Sequence, residues 1–319
     1  MTTLSDALDA EVARFPASRM ADSVQSLIQR YRTGVDPTEQ VLDAEITVAA
    51  YAAYRMPATH AATTSVLARV AALAPDFTPT RLVDVGGGTG AAAWAAVETW
   101  PSLTSVTVLD RSAGALALGR KLADHSASAV LRSANWGRSL VAGAVEVPTS
   151  DVVTLSYVLN ELAEHTRTAL LRSLIDTTEC LVVIEPGTPA GYERVLAARA
   201  ELIAAGMHVL APCPHDAPCP ITAGQDWCHF SARLGRAALH RKLKTATLNY
   251  EDEKFSYVVA TKFPAERAAA RVLRHPVKRK GLVSLRLCAE DGLADRMVTK
   301  RTPENYRTAR DVEWGDSWD

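Results

Sequence analysis

Cysteine is scarce in this chain of 319 residues: there are five, and four of them lie beyond residue 200. That is too few and too clustered for a secreted disulfide scaffold, and clustered thiols in a reducing compartment point to metal or redox chemistry. No apolar run approaches the ~18 residues that a membrane-spanning helix needs, so no membrane partner is expected. The segment MTTLSDALDAEVARF has no apolar signal core, and Asp6, Asp9 and Glu11 argue against a transit peptide; the expected location is cytoplasmic. Net charge is also nearly absent, at −1, so any nucleic-acid contact must come from a local basic surface. Internal repeats and low-complexity tracts are missing too. What is present is a 48% hydrophobic composition, enough for a sizeable core and against global disorder.

Residues 1 to about 74 read as an N-terminal helical region. Leu4, Leu8, Val12 and Phe15 recur at helical spacing. A second pattern runs through Val41, Ile46, Val48 and Tyr51 and is expected to stop near Pro57, with a third helix from His60 to Leu73. From Arg81 short apolar strands alternate with helices. Strands are expected at 81–85, 105–110, 151–156, 180–185 and 255–262, with helices at 91–100, 113–124, 161–177 and 191–205. A third strand falls before Ser133. This alternation predicts an α/β domain over 75–264, with a parallel sheet covered on both faces. An irregular, cysteine-rich insertion occupies about 207–250. Residues 265–319 read as a small β-rich C-terminal extension.

The run LVDVGGGTGAAAW places Asp84, Gly86, Gly87, Gly88 and Gly90 between a strand and a helix. Glycines there let the backbone turn sharply and approach a ligand, and the helix start offers free N–H groups. Asp110 ends the next strand, where a carboxylate can accept both ribose hydroxyls of a nucleoside cofactor. No Lys-Ser or Lys-Thr follows the loop, so it is not a P-loop. The pattern resembles the first motif of class I methyltransferases, whose Rossmann-like sheet binds S-adenosylmethionine. Further cofactor-side candidates are Asn135 and Trp136 after the third strand, and Ser156 and Tyr157 after the fourth. Asn160 fits equally as a helix N-cap. No prolines follow strand four, so an exocyclic-amine acceptor is not indicated. Catalytic residues stay unassigned; Glu161 and Tyr157 qualify by position only.

Cys213, Cys219 and Cys228 lie within APCPHDAPCPITAGQDWC, and Cys288 is a plausible fourth ligand. Flanking prolines stiffen the loop and present the thiols at defined points. The spacing is not that of a zinc knuckle, and four thiolates suit either zinc or an iron–sulfur cluster. A rival reading makes one Pro-Cys a nucleophile for pyrimidine methylation, but the strand-four loop lacks that motif. Cys180 opens an apolar strand and reads as a buried structural thiol.

Read as a helix, WCHFSARLGRAALHRKLK brings His229, Arg233, Arg236, His240 and Lys244 onto one stripe. Between Arg267 and Arg310 twelve Lys or Arg stand against four acids, Lys278, Arg279 and Lys280 among them. Two such footprints favour RNA over a small substrate.

PCPHDAPCP, DWCHFSARL, LHRKLK and YEDEKFSYVVATK, together with DVGGGTG, SYVLNEL and VIEPGTPAGY, closely resemble the ribosomal small-subunit methyltransferase-like family. The likeness spans roughly residues 45 to 300. It implies a class I methyltransferase fold with an inserted [4Fe-4S] site and association with the small ribosomal subunit, its rRNA and its proteins, during assembly. By motif match the cluster ligands are Cys213, Cys219, Cys228 and Cys288. The family's glycine loop maps onto Asp84 through Gly90. Two activities remain open: rRNA methylation, or a non-catalytic assembly role on rRNA. The chain is expected to be a monomer away from the ribosome.

Overall fold

The structure, a computed structural model, describes residues 3–33, 45–222, 224–235, 248–264 and 266–319. Three helices come first: α1 (Leu4–Val12), α2 (Ala17–Thr33) and α3 (Glu45–Leu73). Helix α1 starts at a reciprocal cap, in which the Thr3 side chain accepts from the Asp6 N–H and Asp6 accepts from the Thr3 N–H. Its apolar stripe, Leu4, Leu8 and Val12, is buried as the spacing predicts.

Helix α3 departs from expectation, because it runs unbroken through Pro57. Proline in a helix interior removes one hydrogen bond and costs about 3 kcal/mol. Burial of the helix positions near it offsets that cost: Ala53, Met56, Ala58 and Ala62 are all enclosed. The Val41 part of the predicted second helix lies outside the described residues.

The central domain alternates as the sequence indicates: β1 (Arg81–Val85), α4 (Ala91–Thr99), β2 (Ser105–Asp110), α5 (Ala113–Asp124), α6 (Ala129–Arg132), β3 (Asn135–Arg138), β4 (Ser150–Ser156), α7 (Glu164–Ile175), β5 (Thr178–Pro186), α8 (Pro189–Ala204), β6 (His208–Ala211), β7 (Phe230–Gly235) and β8 (Tyr250–Thr261). The sheet order is β3-β2-β1-β4-β5-β8-β6. Strands β1 to β5 are parallel, and β8 enters antiparallel between β5 and β6. A parallel sheet with one reversed strand inserted near its edge is the class I methyltransferase arrangement. One core buries the sheet against the N-terminal helices, joining Leu8, Met20, Val66, Trp94, Val106 and Val259. A second core covers the other face, with Val83, Leu155, Leu171, Leu202 and Val258.

Three local readings are corrected. The third strand begins at Asn135 rather than ending before Ser133, since a short helix at 129–132 precedes it. The chain after β4 first makes a 3-10 turn, Leu159–Glu161, and α7 starts only at Glu164, so Asn160 is not its N-cap. Residues 230–235 form a strand, not the start of a basic helix. Phe230, Ala232 and Leu234 are buried while Arg233 and Gly235 are exposed, a period of two. Strand β7 pairs with the first half of β8, whose second half pairs with β5; Phe255 lies opposite both Phe230 and Pro186.

The C-terminal region is β-rich, as expected. Strands β9 (Ala270–Val272), β10 (Val277–Arg279), β11 (Leu282–Ala289), β12 (Gly292–Thr299) and β13 (Ser317–Trp318) form a second, antiparallel sheet. Helix α9 (Pro303–Asp311) packs on it around Val272, Val283, Leu285, Val298 and Trp318.

Candidate functional site

The order of the strands reverses between β1 and β4, and a cavity opens there at the carboxyl ends of the parallel strands, where this kind of sheet receives ligands. Its lining includes Gly86 to Thr89, Asp110, Ser156 and Tyr157. Gly86, Gly88 and Gly90 all hold φ between +54° and +84°, the left-handed region that glycine tolerates best. Gly90 also faces the Trp136 ring, which a Cβ there would meet at 2.6 Å. The Gly88 N–H donates to Asp110 Oδ2 at 2.9 Å, and the Ser112 N–H donates to Oδ1 at 2.8 Å. Burial raises the Asp110 pKa, and these backbone donors oppose the shift.

Asp84 sits beneath the loop, 1% exposed, and does not line the cavity. The Thr154 hydroxyl donates to its Oδ1 at 2.7 Å, while Oδ2 has no partner. Burial pushes this carboxyl up to about 7; the Thr154 bond opposes the shift and the Asp110 charge adds to it. Asn135 and Trp136 are also displaced from their expected role. They begin β3, and Trp136 packs under Gly90 and Gly119. The residues that follow this strand into the cavity are Ser139, Leu140 and Val141.

Tyr157, directly after β4, holds φ +62°, a strained conformation for a non-glycine residue. Its hydroxyl donates to Glu253 Oε1 at 2.9 Å. Arg55 of α3 donates to the same oxygen at 3.1 Å and lies over the Tyr157 ring. Tyr51, Arg55, Met56 and Thr59 thus wall the cavity from a helix that sequence reasoning left out of the site. The signal was Arg55 itself, a lone cation in the apolar run YAAYRMPA.

A second cavity is lined by Cys213, Cys219, Cys228 and Cys288 together, drawn from the loop after β6 and from β11. The Ala211–Pro212 bond that enters the loop is cis. Burial raises the Cys228 pKa well above the ordinary thiol value, and Cys213, Cys219 and Cys288 push it further, which places the four sulfurs within electrostatic reach of one another. Cys288 is pushed up to about 12, first by burial and then by Cys213 and Cys219. Among the described residues no set of three or more His, Cys, Asp or Glu side chains already stands at metal-ligand spacing. Cys180 is apart on β5, fully buried, as its apolar context predicted.

The walls of this cavity are cationic. Arg199 is 6% exposed and donates to the carbonyls of His215 and Ala217, both at 2.8 Å. Arg271 is 2% exposed and donates to Pro212 O at 2.8 Å, Gly315 O and Ser317 Oγ. Neither makes an ion pair with a carboxylate among the described residues. The Arg199 Nε and the Tyr257 hydroxyl, both in the cavity wall, are buried donors without acceptors. Buried unpaired cations are costly, and a thiolate-ligated centre carrying net negative charge relieves that cost. The donor set and its surroundings therefore fit such a centre.

Among the described residues, the two members of the expected basic stripe, His229 and Arg233, do not share an exposed helical face. His229 is 7% exposed, stacked on Trp227 and edge-on to Trp314. Arg233 is exposed but held by Asp252 through two bonds of 2.8 and 2.9 Å, and it lies over the Tyr250 ring. Arg236, His240 and Lys244 fall outside the described residues. Lys278, Arg279 and Lys280 are exposed on β10 and its turn.

Fold and cavity together define a class I methyltransferase-type protein. More particularly, the chain belongs to the family described as mitochondrial small ribosomal subunit Rsm22, whose sequence profile matches residues 45–319. It is 32% identical over 292 residues to the human protein named mitochondrial ribosome assembly protein METTL17, covering 83% of this chain and 61% of that one. It is 25% identical over 339 residues to the mitochondrial Rsm22-cox11 tandem protein 2 of Schizosaccharomyces pombe, covering 89% of this chain and 43% of that one. The chain thus spans between two fifths and two thirds of the length of these relatives. Among solved structures, the methyltransferase domain of a bacterial Hen1 overlaps 61% of this chain and 97% of its own, with TM-score 0.41 and 14% identity. The glycopeptide N-methyltransferase MtfA overlaps 62% and 90%, with TM-score 0.40 and 15% identity.

Proposed function

We propose that this chain binds S-adenosylmethionine above the Gly86–Gly90 loop, holds a metal centre on Cys213, Cys219, Cys228 and Cys288, and acts on small-subunit rRNA during ribosome assembly. The observation that carries the reading is the convergence of four thiols, from segments about sixty residues apart, on one cavity whose walls hold two buried guanidiniums. A [4Fe-4S]²⁺ cluster with four thiolates carries a charge of about −2, which two arginines balance; zinc with four thiolates carries the same charge. The family resemblance favours the cluster over zinc. The names of the relatives point the same way for the partner, since one is called a ribosome assembly protein and the family a small ribosomal subunit protein.

Bound S-adenosylmethionine supplies an electrophilic methyl group. The chain's own residues provide its seat: the Asp110 carboxylate lies where ribose hydroxyls donate, and the glycine loop lets the backbone close on the ligand. Lys278, Arg279 and Lys280 supply phosphate contacts without an ion pair of their own among the described residues.

A second reading, an assembly factor without methyl transfer, rests on Tyr157. The position after β4, where acceptors are commonly held, carries a phenol tied to Glu253, and Glu161, which also lines the cavity, is engaged by Arg111 at 3.4 Å. Anaerobic purification with iron, sulfide and zinc analysis tests the metal assignment. An rRNA modification map of a Gly88→Arg strain beside a Cys228→Ser strain separates the two activities. A lost modification in the first supports methylation. An unchanged map, with subunit maturation impaired only in the second, supports the assembly role. A wild-type protein that holds no metal and does not bind small-subunit rRNA ends the proposal.

A further inference from the structure

Helix α8 presents one face to the cysteine cavity, through Tyr192, Val195, Leu196 and Arg199. Tyr192 and Arg199 are two turns apart and so lie on the same side of the helix. The Tyr192 hydroxyl is 3.2 Å from Cys219 Sγ. Arg199 and Cys213 line the same cavity, and the buried Arg199 Nε there has no hydrogen-bond partner. The rest of Arg199 is already committed to the carbonyls of His215 and Ala217, inside the loop that carries Cys213 and Cys219. One polar side chain of α8 therefore addresses Cys219 and another stands in the cavity wall with Cys213.

We propose that Tyr192 and Arg199 are outer-sphere donors to the sulfurs of Cys219 and Cys213 and that they set the reduction potential of the iron–sulfur centre. The inference rests on the cluster reading of the site. A hydrogen bond to a ligating sulfur draws electron density away from the iron and stabilises the reduced form, which carries one more negative charge. A nearby cation acts in the same direction. Loss of either donor therefore shifts the potential to more negative values, with the cluster itself retained. Neither residue is a ligand, so both act as positioning and tuning groups. Their effect is distinct from a general loss of stability, which does not move a potential in a fully loaded protein.

The test is a redox titration of the anaerobically purified full chain, followed by visible absorbance and electron paramagnetic resonance, with iron and sulfide measured on each sample. Tyr192→Phe keeps the ring and removes the hydroxyl. Arg199→Lys keeps the charge and removes the fixed planar donor. Both are expected to keep wild-type iron and sulfide and to titrate at more negative potential than wild type, and the double variant is expected to shift further than either. Full clusters with unchanged potentials in both single variants overturn this inference and leave the cluster reading intact. Zinc, or no metal, in the wild-type protein overturns both. If one variant does not load its cluster, the other carries the test.

Discussion

Gly88 and Asp110 are joined by a single hydrogen bond, 2.9 Å from the loop N–H to the carboxylate Oδ2, across 22 positions of sequence. That bond ties the glycine loop to the end of β2 and orients the carboxylate toward the cavity. A Cβ at Gly88 meets nothing closer than 3.8 Å, so space is not the constraint there; φ +54° is. Gly88→Ala is expected to cost about 1–2 kcal/mol of stability, the usual penalty for a left-handed L-residue. Gly90→Ala should cost more, because the new Cβ also strikes the Trp136 ring. Urea unfolding of the two variants measures the difference, and an equal loss in both is evidence against this assignment. Asp110→Ala should weaken S-adenosylhomocysteine binding about tenfold or more, read by calorimetry, since charge-assisted bonds contribute about 1.5–3 kcal/mol.

Asp84 gives the pH dependence its sign. Its folded carboxyl is raised to about 7 by burial, against an ordinary value of 3.8. Between those values the unfolded chain has released its proton while the native state still holds it. Stability from this residue is therefore highest in acid and falls as pH rises from about 4 to about 7, by at most ~1.4 kcal/mol per pH unit. Asp84→Asn can still accept from Thr154 but has no carboxyl to ionise. Melting temperatures at pH 5 and pH 7.5 should differ less in that variant than in wild type. An unaltered difference would remove the carboxyl from the account.

These two residues show what was legible. The glycine loop and its strand could be read directly, because tight turns and buried strands write their constraints into adjacent positions. Distant packing does not. Pro57 signals a helix end locally, yet α3 continues through it, with Ala53, Met56, Ala58 and Ala62 of the same helix buried in tertiary contact. Phe230 and Leu234 fit a helical repeat as well as a strand repeat. Only pairing with β8 decides between them, and that partner lies some twenty residues away. Asn135 and Trp136, expected just past the third strand, open it instead, because the short helix before them carries no strong sequence mark. The contribution of α3 to the cavity follows from tertiary approach, with Arg55 its one visible trace.

The cysteines provide an internal control. Cys180 is fully buried on β5, its thiol pushed up to about 12 by burial, and it lies away from the cysteine cavity. Cys180→Ala is expected to cost about 1 kcal/mol through lost packing and to leave metal content unchanged. Cys228→Ser should remove the metal and with it protection of both the loop after β6 and β11, which the centre would join. Hydrogen exchange of the two variants separates these outcomes. Normal protection of both segments in Cys228→Ser argues against a shared centre.

Two sets of cations make opposite predictions for RNA. Arg233 is occupied by Asp252 and Tyr250, so its charge is largely answered within the protein. Arg233→Ala should leave affinity for a small-subunit rRNA fragment within about twofold of wild type, since exposed pairs of this kind contribute little beyond their own partners. Lys278, Arg279 and Lys280 stand exposed along β10 and its turn. Replacing all three with alanine should weaken binding and lower the slope of log affinity against log salt by about two to three, the release expected for three phosphate contacts. Filter binding across a salt series reads both quantities. A normal slope in the triple variant, together with a large loss in Arg233→Ala, would count against the C-terminal sheet as the proposed RNA contact and favour β7 and β8.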